Sequence, residues 1–137
     1  MRIVLGLALA LACAGPAAAQ DEIGAVVTGR WAGTVEEPGA DRPIYRIEAD
    51  IVLDRDGMPA GTVRYAGLNC AGTWGDPNNF GTTWRFQEVI TDDPGGSCEP
   101  RMQVELSPVD DPAGLTVRWT MPGTDEPVAT AFLSRAN

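Results

Sequence analysis

From residue 29 onward, apolar and polar positions alternate along the chain. Tyr45, Ile47, Ala49, Ile51 and Leu53 fall in one phase, and Arg46, Glu48 and Asp50 in the other. Met102, Val104 and Leu106 alternate with Arg101, Gln103 and Glu105; Leu115, Val117, Trp119 and Met121 alternate with Thr116, Arg118 and Thr120. A strand turns successive side chains to opposite faces, so a period of two marks a sheet with one buried and one wet face. The pattern predicts strands over 29–37, 43–53, 60–66, 69–75, 82–91, 101–107, 114–121 and 128–135. Between them lie "EEPGADR", "DRDGMP", "GDPNNFG", "DDPGGS", "PVDDPAG" and "PGTDEP". Each holds Gly, Pro, Asp or Asn, the residues that set turn dihedrals.

Short strands with brief connections predict an all-β fold: a single small antiparallel domain. Eight strands in a meander close most simply into an up-and-down, lipocalin-like barrel, which leaves no exposed edge. A two-sheet β-sandwich is the alternative. The triplet Ala-Gly-Thr occurs at 32–34, 60–62 and 71–73, each time inside a strand. Glycine within a strand marks a tight bend or a close backbone approach. The spacings of 28 and 11 residues are unequal, so the triplet is a reused local geometry and not a solenoid repeat.

The first residues, "MRIVLGLALALACAGPAAAQDE", read as a secretory signal peptide over 1–19. Arg2 is the basic end, Ile3 to Ala12 the apolar stretch, and Ala17-Ala18-Ala19 the cleavage site. Cleavage after Ala19 implies a periplasmic or secreted protein; a lipoprotein anchored through Cys13 is the rival reading. Residues 20–28 read as a flexible N-terminal arm and 29–137 as the barrel domain. Without the leader only Cys70 and Cys98 remain of three cysteines. Two cysteines in an oxidising compartment pair, so Cys70 reads as a staple and not as a nucleophile.

The composition excludes more than it includes. The formal net charge is −9, with 19 acidic and 10 basic residues; every basic residue is arginine, and there is neither histidine nor lysine. An acidic chain repels phosphate backbones and anionic lipid, which argues against nucleic-acid and membrane-surface partners. Without His or Lys the chain holds no Ser-His-Asp or Cys-His device, no Schiff-base lysine and no histidine metal site. No catalytic set, cofactor motif or metal set is assigned.

The remaining chemistry has two readings at each position. "DRDG" at 54–57 could open a calcium loop, but Met58, Pro59 and Ala60 follow where acidic ligands belong, and an ordinary hairpin turn explains it. Glu88 is in phase with Trp84, Phe86 and Ile90, which puts a carboxylate on the buried face. It is either a ligand-anchoring group in a cavity or a structural partner of an arginine such as Arg64 or Arg118, unless a bulge turns it outward. Trp31, Trp74, Trp84 and Trp119 either line a pocket or fill the core. The number of inward side chains, Tyr65 among them, favours a filled interior. Trp31, Tyr65, Trp84, Glu88 and Trp119 are the candidate ligand or interior residues.

Gly29-Arg30-Trp31 resembles the first strand of small exported up-and-down barrels. Lipocalins, avidins and the bacterial periplasmic inhibitors of metalloproteases open with a Gly-x-Trp whose indole plugs one barrel end. The avidin asparagine after the tryptophan is replaced by Ala32 and Gly33, so the resemblance does not extend to biotin binding. Over most of the chain, "GRWAGTV", "GTVRYAGLNCAGTW", "FQEVITDDPGGSC" and "VATAFLSR" resemble a small domain at the extracellular end of some bacterial serine/threonine kinases, which also occurs as a stand-alone exported protein. Its pattern, Gly-Thr-Val-x-Tyr, Leu-x-Cys-x-Gly-Thr and Glu-x-Ile followed by Cys, matches 61–65, 68–73, Glu88, Ile90 and Cys98. The resemblance implies an extracytoplasmic accessory or sensing module and supports the Cys70–Cys98 pair. The expectation is a non-catalytic, monomeric, exported barrel binding a small ligand or an envelope protein. A protease inhibitor working through its N-terminal arm is the alternative, and a carboxylate-based hydrolase stands third.

Overall fold

The structure is a computed structural model describing residues 24–39 and 45–137. Eight strands close into one antiparallel barrel in which every neighbour in sequence is a neighbour in space. They are β1 (Gly29–Glu36), β2 (Tyr45–Leu53), β3 (Pro59–Ala66), β4 (Cys70–Phe80), β5 (Thr83–Asp92), β6 (Arg101–Asp110), β7 (Ala113–Thr120) and β8 (Pro127–Arg135). The β1–β8 ladder, running from Trp31 opposite Arg135 to Glu36 opposite Thr130, closes the ring. This is the up-and-down barrel that the alternation predicts, and the sandwich is excluded.

β4 runs five residues further than the sequence pattern indicates. "GDPNNFG" has turn composition, yet Asn78, Asn79 and Phe80 pair with Arg85, Trp84 and Thr83. The turn residues are absorbed by a shift in register between Gly75 and Asn78, where Asp76 takes a positive φ of 48°. A bulge uses the same residue types as a turn, so composition alone does not separate them. β6 likewise runs on to Asp110, pairing through Pro108 and Val109.

The N-terminal segment is not a free arm from residue 24 on. Residues 24–27 form one helical turn, and Val27 is fully buried. The Trp31 indole donates to the Val27 carbonyl at 2.9 Å, and the Arg135 guanidinium lies 4.3 Å from the Trp31 ring centroid. Arg135 Nη1 also donates to the Thr28 carbonyl at 2.9 Å. The turn and the indole together stop one end of the barrel. The remainder of the expected arm, 20–23, and the leader, 1–19, lie outside the described residues.

Two of the three Ala-Gly-Thr glycines mark close strand approaches. A Cβ on Gly33 would stand 2.2 Å from the Phe132 carbonyl oxygen, and one on Gly72 would stand 2.3 Å from that of Val89. Gly61 instead leaves space for the Trp74 ring stacked over it. Gly72→Ala is expected to cost about 1–3 kcal/mol, as overpacking against rigid backbone does. Gly75→Ala, three residues on with nothing within 4 Å of the added carbon, is expected to be near neutral. Urea denaturation of the two variants checks the contrast.

The barrel is packed in one half and hollow in the other. Around the stoppered end, Trp74, Trp84, Phe86, Ile51, Leu106, Leu115 and Leu133 are fully buried. Trp74 and Trp84 flank Phe86 at ring-centroid distances of 6.1 and 6.4 Å. At the other end a cavity of about 470 Å³ opens between the connections that follow β1, β3, β5 and β7. The filled interior expected from the sequence is therefore correct for half of the barrel only. In the hollow half β8 contributes Ala129, a side chain too small to reach across the lumen.

Candidate functional site

Strand alternation carries Trp84, Phe86 and Glu88 inward from β5, and Glu88 is where the packed layer ends and the cavity begins. Its side chain is 3% exposed. Glu88 Oε2 accepts three hydrogen bonds: from the Tyr65 hydroxyl, from Trp74 Nε1 at 2.7 Å and from Trp119 Nε1 at 3.4 Å. The Trp119 indole is shared, lying 3.0 Å from the Tyr65 hydroxyl oxygen. The donors arrive from β3, β4 and β7, so this one oxygen ties together half the strands of the barrel.

Among the described residues no arginine pairs with Glu88. Arg64 and Arg118 point outward, and Arg118 lies 3.9 Å from Glu105, which also holds Arg85 at 2.8 Å. Donation by neutral hydroxyl and indole groups replaces the ion pair that the sequence allowed. Glu88 Oε1 takes no part in the network. No fully buried polar side-chain atom lacks a partner among the described residues, so Oε1 meets the cavity.

Burial raises the Glu88 pKa above the ordinary value of 4.5, and the hydrogen bonds from Tyr65, Trp74 and Trp119 pull it down without cancelling the rise. The Tyr65 hydroxyl is held well above 10.0, first by burial and then by the charge of Glu88. Because the folded state binds the Glu88 proton more tightly than the unfolded chain does, stability falls as pH rises from the ordinary carboxylate value to the raised one. Glu88→Gln keeps the shape and removes the titration. The wild-type denaturation midpoint is expected to decline across that window while the variant stays flat, as urea melts over a pH series will show.

The cavity wall is aromatic and acidic. Tyr45 packs edge-on to Tyr65 at 5.9 Å, and Tyr65 edge-on to Trp119 at 6.4 Å. The Tyr45 hydroxyl donates to Glu37 Oε1 at 2.8 Å at the rim. Leu68, Ile90, Met102 and Val128 add apolar surface, and residues 96–100 of the β5–β6 loop form one side. That loop is held at its base by the Asp93 carboxylate, which accepts the Ser97 and Cys98 amides at 3.0 Å each. The Cys70–Cys98 disulfide fastens it to β4. Asp54 works similarly in its hairpin, accepting the Asp56 and Met58 amides at 2.8 and 3.0 Å. "DRDG" is a turn.

Of the five candidate residues, the structure brings Tyr65, Glu88 and Trp119 together at the cavity floor. Trp31 stoppers the opposite end and Trp84 belongs to the packed half. The partner that sequence reasoning did not bring to Glu88 is Trp74. Its signal was present, since Cys70, Gly72 and Trp74 alternate with Ala71 and Thr73, but its pairing opposite Glu88 depends on the β4–β5 register. Comparison with protein-family models, curated proteins and solved structures returned no match.

Proposed function

We propose that this chain is a non-catalytic exported barrel that holds a small ligand in the cavity at its open end. The observation that carries the reading is Glu88. One carboxyl oxygen of this side chain lies outside the protein's hydrogen-bond network and faces a cavity of about 470 Å³, where it can anchor a polar or charged group of a ligand. The disulfide fits an oxidising compartment, in accord with the leader at 1–19 and a periplasmic or secreted location. No helix among the described residues is long and apolar enough to cross a membrane. The outward rows, with Arg46, Glu48, Arg64 and Arg118, are charged, where a lipid-facing barrel wall is apolar.

The inhibitor alternative needs a free N-terminal arm to enter a protease cleft. Val27, Thr28 and Arg135 pin residues 24–28 to the stoppered end, which weighs against it. A hydrolase needs a second carboxyl fixed opposite Glu88. Glu37 accepts the Tyr45 hydroxyl, and Glu99 is exposed on the loop, which favours binding over catalysis. Native mass spectrometry of the protein taken from its own host's envelope tests the reading. A small molecule travelling with the chain is the expected result. A captured protease would favour the inhibitor, and an empty chain that ignores every cavity probe would end the proposal.

A further inference from the structure

We infer that the cavity takes an organic ammonium ion, its charged head against Glu88 Oε1 and the Trp119 ring and its apolar body along Leu68, Ile90 and Met102. This rests on the cavity being a ligand site, and it names the ligand's chemistry. Three carboxyl groups line the cavity, those of Glu37, Glu88 and Glu99, and no described arginine does. Against this described lining a ligand carboxylate or phosphate would face carboxyl groups, Glu88 foremost. A neutral ligand would make no use of the charge that Glu88 can carry.

An ammonium ion answers each feature of the wall. Oε2 is saturated by three donors, so the charge that Glu88 can offer a ligand leaves through Oε1. Tyr45, Tyr65 and Trp119 supply the electron-rich rings that attract alkylammonium groups once water is displaced. The surplus of acidic over basic residues in the whole chain steers cations toward it.

The same arrangement couples binding to protons. Among the described residues, the titratable groups facing the Glu88 end are Tyr65 from β3, Tyr45 from β2, Glu37 after β1 and Glu99 before β6. Burial favours the neutral form of Glu88, and a cation beside Oε1 favours the charged one, so binding expels the proton. Affinity therefore rises with pH through the range in which free Glu88 titrates.

The test follows the indole N–H resonances of the oxidised protein during titration with choline, with its uncharged isostere neohexanol and with the anion tert-butylacetate. Trp74 and Trp119 bond to Glu88 and report the site; Trp31, bonded to Val27 at the stoppered end, is the internal control. Choline is expected to move the first two and leave Trp31 in place. It should bind at least about tenfold more tightly than neohexanol, the size of one desolvated cation–π and charge contact. Its affinity should increase with pH while that of neohexanol does not. Glu88→Gln should bring choline down to the level of neohexanol; if that variant does not fold, the pH series on the wild type decides.

Equal or tighter binding of neohexanol or tert-butylacetate would overturn the ammonium inference and leave the ligand site standing. Silence of Trp74 and Trp119 toward all three probes, with an empty chain from the host envelope, would remove both.

Discussion

Replacing Trp31 by alanine is expected to lower the unfolding free energy by about 3–5 kcal/mol, the range for truncating a fully packed aromatic. The indole is 4% exposed and does three things at once. It fills the stoppered end, donates to the Val27 carbonyl at 2.9 Å and offers its face to Arg135 at 4.3 Å. Without it, the helical turn at 24–27 loses its anchor and Arg135 loses the surface on which it lies. Trp31→Phe, which keeps a ring under the guanidinium but drops the N–H, should cost about 1 kcal/mol for the lost hydrogen bond plus a small packing term. Urea melts give the energies, and amide exchange over residues 24–28 should quicken in the alanine variant. The Trp119 indole resonance, at the opposite end, should stay where it is. An alanine variant losing less than about 1 kcal/mol would mean that the turn and the indole do not stopper the barrel.

The division of labour between the two ends explains which parts were legible in the sequence. Strand existence followed from alternation, because a barrel this small has a dry inside and a wet outside along every strand. Tyr45, Ile47, Ala49 and Ile51 could therefore be assigned inward directly. Closure followed from strand number and short connections. What alternation does not report is which inward residues meet across the lumen, since that depends on register. The Gly75–Asn78 shift is set by backbone geometry at Asp76, and neither composition nor period reveals it. Trp74 reaches Glu88 through that ladder, so the sequence showed a buried carboxylate and offered it an arginine. The hollow was hidden for a related reason: only the closed ring brings Ala129, Ile90 and Met102 around one space.

The packed half and the hollow half also differ in what holds them. Around Trp74, Trp84 and Phe86 the lumen is filled by apolar side chains, and burial alone is enough. Around Glu88 the same level of burial would be destabilising without three donors, and the network supplies them. Such a network is favourable when every member is satisfied and costly when one is not. Its one open valence is Oε1, on the cavity side. The strand scaffold thus places the one Glu88 oxygen outside this network where a ligand could complete it, at the end of the barrel opened by four connecting segments.

One of those segments depends on sulfur. Cys70→Ala together with Cys98→Ala is expected to cost about 3.5 kcal/mol, the chain-entropy value for a closed loop of this length. The double variant avoids leaving a lone thiol. The cost should appear as a lower urea midpoint with a steeper slope, because the unlinked denatured chain exposes more surface. A second effect should accompany it. Residues 96–100 form a wall of the cavity, and the bond from Cys98 ties that wall to β4. The base is held separately, by the Asp93 carboxylate on the Ser97 and Cys98 amides and by the Ile90 amide donating to the Pro100 carbonyl at 3.0 Å. Unfastened, the loop keeps its turn but no longer its position against Tyr65 and Met102, so cavity probes should bind several-fold more weakly and the Trp119 indole resonance should broaden. Wild-type protein reduced by dithiothreitol should behave as the double variant does. Loss of stability with unchanged probe affinity would show that the disulfide fastens the barrel without shaping the cavity, and unchanged stability would show that the loop's hydrogen bonds already do the holding.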